Sequence, residues 1–134
     1  MSVKILIAIV LFGSFALATP AGAAAVAVSE EKSTALVDYV DFGGVRLYDY
    51  AYRTLRLTNN GNTDIPDLDL SITGYGYWGR TNCGQVLPAG AQCRIELEFH
   101  PTMIGSHYGR FYIRGTEVDL MISLYGWGDQ QQYP

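Results

Sequence analysis

Residues 93–100, CRIELEFH, alternate without a break: Cys93, Ile95, Leu97 and Phe99 fall on one side, and Arg94, Glu96, Glu98 and His100 on the other. A period of two marks a β-strand with one buried face, and Pro101 ends it by withholding a ladder donor. The same parity runs through RTLRLTN (53–59), with Leu55 and Leu57 inward, and through DLDLSIT (67–73), with Leu68, Leu70 and Ile72 inward. Between them NNGNTDIP (59–66) is dense in turn formers. The stretch ALVDYVDFGGVRLYDY (35–50) reads as a less regular edge strand. Near the end, YGRFYIR (108–114) and EVDLMISLYG (117–126) form a hairpin, with Phe111, Ile113, Val118, Leu120, Ile122 and Leu124 inward. A two-residue type II′ loop at Gly115-Thr116 keeps both inward sets on one face, setting Phe111 opposite Leu120 and Arg114 opposite Glu117. No amphipathic helix of useful length follows residue 25. Six or seven short antiparallel strands with regular turns make an all-β fold, an immunoglobulin-like β-sandwich.

The N-terminus has a different character. MSVK carries one cation, Lys4; ILIAIVLFGSFALA (5–18) is apolar; Thr19-Pro20 and the small-residue tract AGAAAVA (21–27) follow. That is the layout of a secretory signal peptide, residues 1–25, with cleavage expected within 23–27. Pro20 and Gly22 interrupt the run before it reaches the ~20 residues a membrane-spanning helix needs. The chain is therefore expected to be exported, to the periplasm, the cell surface or the medium, with no transmembrane segment after cleavage. Losing the leader removes one of nine basic residues and none of the 13 acidic ones, moving the net charge from −4 to about −5. No basic patch dense enough to neutralise several phosphates remains, which argues against nucleic acid as a partner.

Export decides how to read the only two cysteines, Cys83 and Cys93. In an oxidising compartment a lone pair is expected to form a disulfide. The two histidines lack zinc-knuckle spacing relative to them, and the pair is not a C-x-x-C redox motif. Closing a loop of about 11 residues is worth about 2.5–3 kcal/mol in the simplest model.

Taken in order, VDFGGV (40–45), RTLRLTNNGN (53–62), NCGQVLPAGAQCRIELEFHPTMIGSHYG (82–109) and ISLYGWG (122–128) resemble successive pieces of the abnormal-spindle/hydin-type (ASH) immunoglobulin-like domain, in its bacterial form called choice-of-anchor D. The resemblance spans residues 38–128, leaving 26–37 as a short N-terminal extension and 129–134 as a polar tail. It implies a seven-stranded antiparallel sandwich related to the major-sperm-protein and pilus-chaperone folds, with Cys83 joined to Cys93. It implies structural roles for Phe42, Gly43, Asn59, Gly61, Pro101, Gly126 and Gly128, and a scaffold or interaction module with no catalytic site of its own. A pilin awaiting a donated strand is not expected, because the closing strand is complete.

Enzyme motifs are missing: there is no G-x-S-x-G, no H-E-x-x-H and no glycine-rich phosphate loop. Glu96 and Glu98 share one strand face with Arg94 and read as a solvated surface. Asn60, Asn62, Asp64, Asp67 and Asp69 are oxygen-rich, but these are ordinary turn and outward-strand residues, so no metal or other cofactor is expected. The aromatic content is more telling, with ten tyrosines and two tryptophans in 134 residues. Parity places Tyr108, Arg110, Tyr112, Tyr125 and Trp127 outward on the final hairpin, residue types enriched where proteins bind proteins. That face is the expected contact surface for a protein partner in the envelope or a surface assembly, unless residues 26–37 or the C-terminal tail fold over it. The alternative is a glycan or peptidoglycan site in GYGYWG (74–79), using Tyr75, Tyr77 and Trp78; Tyr77 and Trp78 could equally plug one end of the sandwich.

Overall fold

The computed structural model describes residues 26–31, 33 and 35–130. The expected signal peptide, and most of the polar tail, lie outside the described residues. Eight strands follow one another: β1 (Val26–Glu30), β2 (Tyr39–Arg46), β3 (Ala51–Asn59), β4 (Asp69–Thr73), β5 (Tyr77–Thr81), β6 (Gln92–Phe99), β7 (Gly105–Gly115) and β8 (Val118–Asp129). They form two four-stranded sheets, in the orders β1-β3-β6-β5 and β2-β8-β7-β4. Among the described residues no helix is long and apolar enough to cross a membrane.

The alternating patterns resolve as the sequence predicts. Leu55, Leu57, Ile95, Leu97, Phe99, Phe111, Ile113, Ile122 and Leu124 all lie in the core between the two sheets. Burying side chains of this size is worth about 1.5–3 kcal/mol each. Phe99 sits at the centre of one end. It contacts Phe42 of β2, Tyr77 of β5 and His107 of β7 at ring-centroid distances of 5.7, 4.8 and 5.4 Å. Gly126 of β8 leaves room for it: a Cβ there would lie 2.7 and 2.8 Å from two Phe99 ring carbons and nearer still to a third.

Cys83 and Cys93 are joined, with Cα atoms 5.0 Å apart, so the loop leading into β6 is closed onto that strand. Asn59, fully buried, fixes the neighbouring turn. Its Nδ2 donates to the carbonyls of Thr63 (2.8 Å) and Leu87 (3.0 Å), and its Oδ1 accepts from Gly61 N (3.0 Å). The structural roles implied for Phe42, Asn59, Gly61 and Gly126 are thus realised in contacts.

Four details differ from the sequence reading. Residues 26–30 are not an extension in front of the domain but strand β1, paired antiparallel with β3 from Val26↔Asn59 to Glu30↔Leu55. Residues 77–81 form a further strand, β5, paired with β6, which brings the described strands to eight. Not every pair is antiparallel: β2 runs parallel to β8 from Tyr39↔Ser123 to Arg46↔Asp129, with a bulge between Asp41 and Gly44. Periodicity reports which way side chains face, not which way a neighbouring strand runs. Finally, the last hairpin turns at Thr116-Glu117 rather than Gly115-Thr116, so Arg114 faces Asp119 and Phe111 faces Ile122. The shift of two in register sum preserves the faces. Gly115 is small for another reason, since a Cβ on it would lie 3.0 Å from the Ile65 side chain and 3.2 Å from Pro66 O.

Two outcomes follow for stability. Gly126→Ala overpacks the Phe99 site and is expected to lower unfolding free energy by about 1–3 kcal/mol, read as a lower urea midpoint at unchanged slope. Reduction, or Cys83→Ser with Cys93→Ser, is expected to cost about 2.5–3 kcal/mol, read from paired melts with and without reductant.

Candidate functional surface

The outward face of the β2-β8-β7-β4 sheet is built by the residues that alternate with the core positions. Register sets Ser106 opposite Trp127, Tyr108 opposite Tyr125, Arg110 opposite Ser123, Tyr112 opposite Met121 and Arg114 opposite Asp119. Tyr108 and Tyr125 meet edge to face, centroids 5.6 Å apart at 90°. Tyr39, on the parallel neighbour β2, adds a third ring 6.2 Å from Tyr125 at 64°. Such contacts fix ring orientation and are worth about 0.5–1.5 kcal/mol beyond area. The rings stay open to solvent, with Tyr108 67%, Tyr39 59%, Trp127 47% and Tyr125 39% exposed.

Two of the expected contact residues stand apart from this trio. Tyr112 lies four residues along β7 from Tyr108, about 13 Å at strand rise, and the Arg114 guanidinium covers its ring at 4.3 Å. Trp127 lies at the other end of the face, opposite Ser106. The five residues chosen from parity therefore share one face, with Tyr108 and Tyr125 in contact at its middle. Tyr39 was missed, because its place beside Tyr125 depends on the parallel pairing of β2 with β8.

The alternative loop does not hold together as a site. Tyr77 is buried, 4% exposed, stacked on Phe99, and its hydroxyl donates to His107 O at 2.7 Å. Gly109 makes the space: a Cβ there would meet the Tyr77 ring at 2.7 Å. Tyr77 thus serves as the plug, while Trp78 next to it on β5 faces outward and is 64% exposed. Tyr75 is exposed, hydrogen-bonded through its hydroxyl to Thr102 Oγ1 at 2.6 Å. The three rings point to three different surroundings.

Several of the other polar candidates are held in structural contacts. Glu96 pairs with Arg80 at 2.6 Å, and Asp64 accepts from Ala89 N at 3.0 Å. His100 stacks on Tyr50 with centroids 4.2 Å apart. His107 is buried, its Nδ1 2.9 Å from Gly105 O. Among the described residues no three His, Cys, Asp or Glu side chains converge in a metal-binding group.

No protein-family model matches the chain, and no curated protein matches it in sequence. Solved structures do match. The ASH/PapD-like domain 7 of human CEP192 aligns with a TM-score of 0.58 at 14% identity, covering 98% of this chain and 99% of that one. A protein of unknown function from Porphyromonas gingivalis W83 gives 0.64 at 10% identity, over 87% of this chain and 52% of that one. A family 123 glycoside hydrolase from Clostridium perfringens gives 0.62 at 7% identity, over 83% of this chain and 28% of that one. The chain thus spans about half of the second protein and little more than a quarter of the third. What it shares with them is the fold, an immunoglobulin-like β-sandwich, which in the first is that of an ASH/PapD-like domain.

Burial, and after it the nearby charge of Asp41, pushes the Tyr77 hydroxyl well above the usual tyrosine range. In the unfolded chain it ionises near pH 10. The unfolded state therefore loses this proton first, and stability, complete below about pH 10, falls as pH rises beyond it. Tyr77→Phe is expected to flatten that alkaline decline in urea titrations. At neutral pH it costs about 1 kcal/mol, because His107 O loses its donor.

Proposed function

We propose that this chain is an exported, non-enzymatic structural and interaction module of a bacterial cell envelope or surface assembly, holding a protein partner against the outward face of its last hairpin. Assignment to the bacterial choice-of-anchor D form, and a place in the periplasm or on the cell surface, belong to the same reading. The observation that carries it is the contiguous set of exposed rings on three strands, Tyr39 and Tyr108 each in contact with Tyr125. A monomer gains nothing from leaving such a cluster in water, whereas tyrosine, tryptophan and arginine concentrate binding energy when a partner covers them. Of the segments that could cover this face from within the chain, residues 26–37 and the tail, residues 26–30 belong to the opposite sheet. The disulfide supports export. The glycan reading of residues 74–79 loses its central ring to the core.

The test is in-cell photocrosslinking from positions 108 and 125, with position 60 in the remote turn as control. A discrete adduct from 108 and 125 but not from 60 is expected. It should disappear when Tyr39 and Trp127 are replaced by alanine, while the melting temperature of that variant stays within a few degrees of the parent. Absence of any adduct, or an adduct indifferent to both substitutions, would overturn the proposal.

A further inference from the structure

The opposite sheet carries a second arrangement, independent of the hairpin face. Register places Tyr52 of β3, Glu98 of β6 and Trp78 of β5 in one straight row across three adjacent strands. Their chain neighbours Phe99 and Tyr77 are buried, so all three side chains of the row project outward. With strands about 4.8 Å apart, the two aromatic residues are rooted about 10 Å from each other with the carboxylate between them. Both rings are open, Tyr52 48% and Trp78 64% exposed. Tyr52 is braced by Tyr50, lying nearly parallel at 8° with centroids 6.3 Å apart, and Tyr50 in turn rests on His100.

Glu98 is the unusual member. The described residues contain two ion pairs, Arg80–Glu96 and Arg114–Asp119, and Glu98 is in neither. Arg80, whose charge also acts on Glu98, gives its hydrogen bond and ion pair to Glu96 one row away at 2.6 Å. A carboxylate with no ion-pair partner of its own, flanked by two exposed π-systems, is complementary to a cation: the charge meets the carboxylate and the rings add their quadrupoles. An apolar occupant would have to desolvate Glu98 with nothing in return.

We infer that the Tyr52–Glu98–Trp78 row is a docking site for a basic side chain, the ammonium of a lysine or the guanidinium of an arginine, presented by a partner protein. Arg80 acts as an internal competitor, positioned two residues from Trp78 on the same strand face.

The test uses the full chain labelled with ¹⁵N and follows the Trp78 indole N–H resonance, assigned by loss in Trp78→Phe. The probes are the N-acetylated, C-amidated peptides Gly-Gly-Lys-Gly-Gly and Gly-Gly-norleucine-Gly-Gly, and chitotriose. The lysine peptide is expected to move the indole resonance saturably, and the norleucine peptide and the sugar to leave it in place. Glu98→Gln should weaken the lysine peptide by about threefold, the scale of an exposed ion pair, and Arg80→Gln should strengthen it. Both substitutions are on the outward face, and an otherwise unchanged spectrum verifies the fold. The inference is overturned if the lysine peptide causes no shift, if norleucine or chitotriose shifts the indole equally, or if Glu98→Gln binds as tightly as the parent.

Discussion

The packing of Phe99 between the two sheets is the contact on which the rest of the structure depends. Phe42, Tyr77 and His107 close around its ring, and Gly126 yields the space that a side chain would occupy. Residues from β2, β5, β6, β7 and β8 meet at this one point, so the spacing of the sheets at that end is set by a single aromatic thickness. Close packing of this kind tolerates little change in volume. It also explains why Tyr77, which by position could have served a surface loop, is drawn into the interior.

That rigidity has a consequence for the outward surfaces. Each exposed ring on the hairpin is one residue away from a core position: Tyr108 follows His107, and Tyr125 lies between Leu124 and Gly126. Their backbone is fixed by both ladder hydrogen bonds and buried neighbours, and edge-to-face contacts among Tyr39, Tyr108 and Tyr125 restrict the rings themselves. A partner meeting such a surface loses little conformational entropy in ordering it. The row on the opposite sheet is built the same way, with Tyr52, Glu98 and Trp78 alternating with Ala51, Phe99 and Tyr77.

Much of this was legible in the residues alone, and what was not has physical causes. The alternation in CRIELEF, RTLRL and the hairpin strands fixed which side chains are buried, because burial of one face is what that pattern records. Parity likewise placed Tyr108, Arg110, Tyr112, Tyr125 and Trp127 on one face. It was silent on strand direction, hence on the parallel β2–β8 pair and on Tyr39. The glycine at 115 reads locally as a turn residue, whereas its smallness serves a contact with Ile65 and Pro66 that only the tertiary structure creates. Strand β1 was lost because five residues beside a small-residue tract show too short a pattern. The Tyr52–Glu98–Trp78 row draws one residue from each of three strands, and no local window contains it.

The parallel union of β2 with β8 has a mechanical meaning. In a parallel pair, tension applied at the start of β2 and the end of β8 pulls along the strand axis, loading the ladder from Tyr39↔Ser123 to Arg46↔Asp129 all at once. A hairpin pulled at its open end instead unzips one rung at a time. Separating β2 from β8 along the strand axis therefore means shearing every rung together, which is harder than peeling a hairpin apart.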